Sequence, residues 1–124
     1  MCTKHKILVV DDSNTNVVLL GAVLEKEGYD VETALSAKEA FKCIEKSRPD
    51  LILLDILMPQ TNGFEFLESL RKHAKYSGIP VIMVSAVGND ENKKLAKKLG
   101  AQDFFEKPVD ISMIIKKIRL FVKK

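Results

Sequence analysis

The run Leu51-Ile52-Leu53-Leu54 is apolar at every position. A surface helix would interrupt such a run at a period of 3.6 residues, and a half-solvated strand at a period of 2. This run shows neither, so it reads as a strand covered on both faces, the condition of a parallel sheet. Ile7-Leu8-Val9-Val10 and Val81-Ile82-Met83-Val84 repeat the pattern. A sheet covered on both sides needs helices above and below it, which makes a layered α/β domain.

The intervening segments supply those helices. Asn14 to Lys26 carries Val17, Leu20, Gly21 and Leu24 on one face, with Ser13 or Asn14 placed to cap it and Gly28 to end it. Asp30 to Ala34 reads as a second strand. Ser36, followed three residues later by Glu39, has capping-box spacing, and Ala37, Ala40, Phe41 and Ile44 form the apolar face behind it. Beyond Pro59 and Gly63, Phe66, Leu67 and Leu70 line a third helix. A fourth begins at Asp90 or Glu91 and ends at Gly100, and its only large apolar residues are Leu95 and Leu99. Asp103 to Glu106 is a short fifth strand. The last helix carries Ile111, Ile114, Ile115, Ile118 and Phe121 on one stripe. None of the four prolines interrupts a strand pattern. Five strand–helix units joined by right-handed crossovers give a doubly wound, five-stranded parallel sheet flanked by five helices. Ligands on such a sheet sit beyond the carboxyl ends of the strands.

Bulk properties exclude several classes. The 124 residues fit one domain, 1–124, and suffice to bury a core. No apolar run approaches the ~20 residues of a membrane span, and Met1 to Lys6 precede no signal-peptide core. The two cysteines, Cys2 and Cys43, suggest no bridge, and free thiols fit the cytoplasm. A net charge of +3 is too mild to imply nucleic acid.

Charged residues punctuate the strand ends. Asp11-Asp12 follows the first apolar run, Asp55 the third, and Lys107-Pro108 the fifth. On one parallel sheet these positions share an edge. Carboxylates brought that close cannot all remain ionised without a counter-charge. The arrangement asks for a divalent cation, and carboxylate, cation and lysine together suit a phosphoryl group. Asp12 is also placed to cap the next helix, and Ser85, which ends the fourth strand, either satisfies that strand end or donates to a phosphoryl oxygen.

These landmarks, Ile7-Leu8-Val9-Val10-Asp11-Asp12-Ser13, Leu53-Leu54-Asp55-Ile56-Leu57-Met58-Pro59, Gly63, Val84-Ser85-Ala86 and Phe105-Glu106-Lys107-Pro108, resemble the receiver domain of two-component response regulators across essentially the whole chain. The resemblance implies strand order 2-1-3-4-5, as in single-domain chemotaxis regulators. It implies that Asp55 is the phosphoacceptor. Mg²⁺, with Mn²⁺ as a substitute, would be held by Asp12 directly, Asp11 through water, Asp55 and the backbone carbonyl of Leu57. Ser85 matches the switching hydroxyl, Phe105 the aromatic switch and Lys107 the lysine that pairs with phosphoryl oxygens. The donor is then a histidine kinase or histidine phosphotransfer protein docked beside the first helix, where Val17, Val18, Leu19 and Leu20 exceed what one buried face needs.

Output would leave through helix 4, strand 5 and helix 5, toward a downstream protein, an output domain or a phosphorylation-dependent dimer, with no direct nucleic-acid or membrane contact. The lysines of helices 4 and 5 are either solvated faces or a basic surface for an acidic partner. Leu57 and Val87, two beyond Asp55 and Ser85, cannot orient a hydrolytic water. The chain is therefore expected to be a slowly self-dephosphorylating signalling domain and not a turnover enzyme. A haloacid-dehalogenase phosphatase would need a second Asp where Leu57 stands. No Gly-rich phosphate loop follows a strand, as a P-loop or flavodoxin-like carrier requires. A non-phosphorylated interaction module on the same fold predicts loss of the acidic pair or the lysine, and both are present.

Overall fold

Five strands alternate with five helices in the computed structural model, which describes residues 5–56, 62–85, 89–107 and 110–122. The elements are β1 (Lys6–Val10), α1 (Asn14–Lys26), β2 (Asp30–Ala34), α2 (Ala37–Lys46), β3 (Leu51–Leu54), α3 (Gly63–Lys72), β4 (Val81–Ser85), α4 (Asp90–Lys98), β5 (Asp103–Glu106) and α5 (Ile111–Phe121). All strand pairs are parallel and the sheet order is β2-β1-β3-β4-β5.

The unbroken apolar runs divide their residues between two cores. Leu8, Val10, Ile52, Leu54, Val81 and Met83 point to the layer of α2, α3 and α4, where they meet Ala40, Ile44, Phe66, Leu67, Leu70 and Ala96. Ile7, Val9, Leu51, Leu53, Ile82 and Val84 point to the layer of α1 and α5, against Val17, Leu20, Leu24, Ile114 and Ile118. Successive strand side chains alternate faces, so a strand between two helical layers has no position left for a polar residue.

Local signals set the helix ends. The Ser36 hydroxyl accepts from the Glu39 amide, and the Glu39 carboxylate reaches back to the Leu35 amide, one residue earlier than a standard capping box. Asn62, Asn89 and Asp110 cap α3, α4 and α5 in the same manner. Gly28 and Gly100 take φ of +95° and +97° just past α1 and α4, the left-handed region that a Cβ disfavours.

The two large apolar residues of α4 anchor it weakly, as its sparse apolar content implies: Leu95 is 38% exposed and Leu99 only partly covered, and the residue that the helix buries is Ala96. One expectation needs correction. Phe121 leaves the α5 stripe, at 39% exposed, because the helix ends there and Val122 turns into the core instead. As expected, α1 carries more apolar residues than its buried face needs: Val17 and Leu20 are buried, whereas Val18 and Leu19 are 60% and 59% exposed. Pro59, Ala86, Val87, Pro108 and the Leu57 carbonyl lie outside the described residues.

Candidate functional site

Strand register brings the acidic residues together. Val10 lies opposite Leu54, so Asp11 and Asp55 leave adjacent strands side by side. The Asp55 amide donates to the Val10 carbonyl at 2.9 Å, and the Asp11 amide to the Ala34 carbonyl at 3.1 Å. Ser85 is opposite Glu106 across β4 and β5, and the Lys107 amide donates to the Ser85 carbonyl at 2.9 Å. The ladder that builds the sheet thus also delivers Lys107 to the edge.

The side chains are oriented by backbone amides. Asp11 Oδ1 accepts from the Ser13 amide at 2.9 Å, and Asp55 Oδ1 from the Ile56 amide at 2.8 Å. Each carboxylate therefore has one oxygen fixed and turns the other to Lys107. Lys107 Nζ lies 2.7 Å from Asp11 Oδ2 and 3.5 Å from Asp55 Oδ2. Asp12 completes the group: carboxylate oxygens of Asp11, Asp12 and Asp55 lie within 4.8 Å of one another. Asp11 and Asp55 are buried and Asp12 is exposed, so one ligand faces solvent.

Burial pushes the Asp55 carboxyl above its ordinary pKa and the Asp11 charge pushes it further. Lys107, the Ser85 hydroxyl and the Ile56 amide pull it down without cancelling the rise. For Lys107, burial alone would lower the pKa, but the hydrogen bond to Asp11 and the charges of Asp55 and Asp11 more than offset it, and the net shift is upward. Lys107 is a firmly held cation that serves two carboxylates. All-oxygen donors, with excess negative charge and one solvent-facing member, fit a hard divalent cation such as Mg²⁺.

Ser85 is fully buried and its hydroxyl reaches Asp55. Phe105 stands apart. It is half-buried and packs against the layer of α1 and α5.

Gly63 has a part that its place in the sequence did not reveal. It opens α3, and its amide donates to the Ile56 carbonyl at 2.6 Å. A Cβ there would run into the carbonyl oxygen of Asp55 and come within 2.9 Å of Ile56 Cα. Only glycine lets α3 start against the backbone that carries Asp55. Arg71 was also missed. Its one sequence signal is that it is an arginine in a chain whose 20 basic residues are mostly lysine.

Comparison with known proteins agrees with this geometry. The family model for the response regulator receiver domain matches residues 7–119. The chain is 40% identical over 113 residues to protein PilH of Pseudomonas aeruginosa, covering 91% of this chain and 93% of that protein. It is 37% identical over 119 residues to the alkaline phosphatase synthesis transcriptional regulatory protein PhoP of Bacillus subtilis, covering 96% of this chain but 49% of that one. The chain thus spans nearly all of one curated relative and about half of another. Among solved structures, chemotaxis protein CheY4 of Vibrio cholerae superposes with a TM-score of 0.90 at 32% identity, covering 97% of this chain and all of that one.

Proposed function

Since this chain belongs to the response regulator receiver domain family, the phosphoacceptors of two-component signalling, we propose that Asp55 is the residue that takes the phosphoryl group. The observation that carries this is the edge itself: Asp55 is buried beside Asp11, shares Lys107 with it and is touched by the Ser85 hydroxyl.

The donor is a phosphohistidine on a kinase or phosphotransfer protein. An Asp55 carboxylate oxygen attacks phosphorus, and the P–N bond breaks. The imidazole leaves with the bonding pair and takes up a proton from solvent. The transition state is loose and heavily charged, so the protein acts by positioning and charge. The Ile56 amide fixes Asp55 Oδ1 and turns Oδ2, which faces Lys107, toward the phosphoryl donor as nucleophile. Lys107 is within reach of the incoming phosphoryl oxygens, and Ser85 can exchange its bond to Asp55 for one to the phosphoryl group. Asp12 directly, Asp11 through water, Asp55 and the Leu57 carbonyl would hold Mg²⁺, or Mn²⁺ in its place, which would supply charge neutralisation when bound.

We assign residues 1–124 to one receiver domain and place it in the cytoplasm, which suits its free Cys43 thiol. Among the described residues no helix is long and apolar enough to cross a membrane. The protein donor docks on α1, whose exposed Val18 and Leu19 offer an apolar contact. The phosphorylated state is read at α4, β5 and α5 by a downstream protein, an output domain or a second copy. Ser85 draws the following loop toward the phosphoryl group, Phe105 turns inward, and the α4 region changes state.

Incubation with a small phosphodonor and Mg²⁺, followed by intact mass measurement, should show a single phosphoryl adduct that is lost in Asp55→Ala. Undiminished labelling of Asp55→Ala would refute the assignment.

A further inference from the structure

Arg71 closes the last turn of α3, far from the acidic edge, and donates four hydrogen bonds. Its Nη1 reaches the carbonyls of Ser77 at 2.8 Å and Ile79 at 2.7 Å. Its Nη2 reaches the Gly100 carbonyl at 2.7 Å and Gln102 Oε1 at 3.2 Å. The same Gln102 oxygen accepts from the Val81 amide at 2.7 Å, and the Gln102 amide donates to the Val81 carbonyl at 2.8 Å. One guanidinium thus ties the end of α3 and the entry to β4 to the turn between α4 and β5. Gly100 is shaped for this contact: a Cβ there would lie 2.8 Å from Arg71 Nε, at a φ of +97°. A planar fork with five donors in fixed directions can make all four of these bonds at once, whereas a lysine ammonium has three donors.

The two ends of α4 are therefore held very differently. At the carboxyl end stand the Arg71 network, buried Ala96 and partly covered Leu99, and the Ala101 amide bonds back to the Ala96 carbonyl at 2.9 Å. Among the described residues the amino end has the Asn89 cap, a further contact of Asn92 and a half-exposed ion pair, Lys93 to Glu106 at 3.2 Å. Pairs of that kind contribute little. The amino end is also the one joined to Ser85, through residues 86–88.

We propose that Arg71 is the positioning residue that pins the carboxyl end of α4, so that this helix answers phosphorylation by pivoting about Gly100 and not by shifting or melting as a unit. The pivot rests on the phosphoacceptor reading above, whereas the pin is a property of the unmodified protein. The output surface then changes most around residues 89–94 and least around 97–103. A partner that distinguishes the two states must contact the amino half of α4.

Hydrogen exchange read by mass spectrometry tests both parts. In the free wild-type protein, peptides covering 97–103 should exchange more slowly than those covering 89–94. Arg71→Ala should speed exchange at 97–103 by about ten-fold or more, with Arg71→Lys in between, because charged hydrogen bonds hold a local opening closed. With beryllofluoride and Mg²⁺ the wild type should change mainly at 89–94, whereas in Arg71→Ala the change should spread through 103. Phosphoryl labelling of Asp55 should be the same in all three proteins, which separates a loss of positioning from a loss of the site. Unaltered exchange at 97–103 in Arg71→Ala, or a uniform wild-type response along α4, would overturn the proposal. A wild type that bound no beryllofluoride would overturn the phosphoacceptor reading and the pivot together, while the pin would still stand or fall on the free protein.

Discussion

Replacing Asp55 by Asn should stabilise the metal-free protein. Asp11 carries a carboxylate oxygen within 4.8 Å of one on Asp55, and Lys107 Nζ lies at 3.5 Å. At an effective dielectric of about 20 the first costs roughly 3 kcal/mol and the second returns roughly 5 kcal/mol. Asp12, exposed and better screened, takes back about 1 kcal/mol. The charge interactions nearly cancel, so what remains is the cost of holding a carboxylate at 5% exposure. Asn keeps the acceptor for the Ile56 amide, removes the buried charge and leaves Lys107 on Asp11. We expect a gain of about 1–2 kcal/mol and a rise in Tm of roughly 3–10 °C in EDTA near neutral pH. The pH dependence follows from the raised Asp55 pKa. Protonated Asp55 favours the fold, so this contribution is fully present below the unfolded carboxyl pKa and is lost as pH rises through the higher folded value. Wild-type stability should fall over that window, and the Asn variant should lack that limb. Saturating Mg²⁺ should reverse the order, since wild type binds the ion with a full set of carboxylates and gains about 2.7 kcal/mol at a hundred times Kd. Urea denaturation of both proteins, with EDTA and with Mg²⁺, measures all of this. An Asn variant no more stable than wild type in EDTA, or one whose advantage persists in Mg²⁺, would refute the reasoning.

Val18→Lys should slow transfer from a phosphohistidine protein by about ten-fold or more while labelling by a small phosphodonor is unchanged, because it places a charge in an apolar contact without touching the edge. Equal slowing with both donors would assign Val18 to folding and not to docking. Gly63→Ala should destabilise by about 2–4 kcal/mol and reduce Asp55 labelling, since the backbone of Asp55 or the start of α3 must move; a thermal melt within a degree of wild type would contradict this. The aspartyl phosphate should outlast purification, because Leu57 and Val87 offer no hydrogen bond to a hydrolytic water, and a half-life of seconds would sink that expectation.

The parts of this molecule that sequence exposes are those where one residue type answers one demand. A strand covered on both faces must be wholly apolar, so β1, β3 and β4 announce themselves, and a strand's carboxyl end is where Asp11, Asp12 and Asp55 appear. Ser36 and Glu39 mark a helix start because both side chains have fixed tasks there. What stays hidden depends on rotation or on distant backbone. Leu95 and Ala96 are adjacent, and hydropathy favours the larger, but the rotation of α4 on the sheet buries Ala96 and leaves Leu95 exposed. Gly63 looks like a turn glycine until α3 is seen to start against Asp55. Arg71 binds four oxygens that are mostly backbone carbonyls, and carbonyls leave no mark in a sequence.

The edge and the lever connect through the same two strands. Lys107 directly follows β5, and its amide is bonded to the Ser85 carbonyl at the end of β4. On the phosphoacceptor reading proposed above, a phosphoryl group on Asp55 would carry more negative charge than the carboxylate it replaces, and would draw Lys107 away from Asp11 as a bound metal claimed that carboxylate. Ser85 would be drawn toward the same group from the other strand. Because the two residues share a backbone hydrogen bond, their displacements would reinforce one another. Glu106, the neighbour of Lys107, holds the only ion pair described for the amino half of α4. Both motions would therefore arrive at the end of that helix opposite the Arg71 network. If Arg71 pins the other end as proposed, an edge that is electrostatically uncomfortable without its ions would be coupled to a helix fixed at one end, and a charge at Asp55 would become a tilt at the proposed output surface.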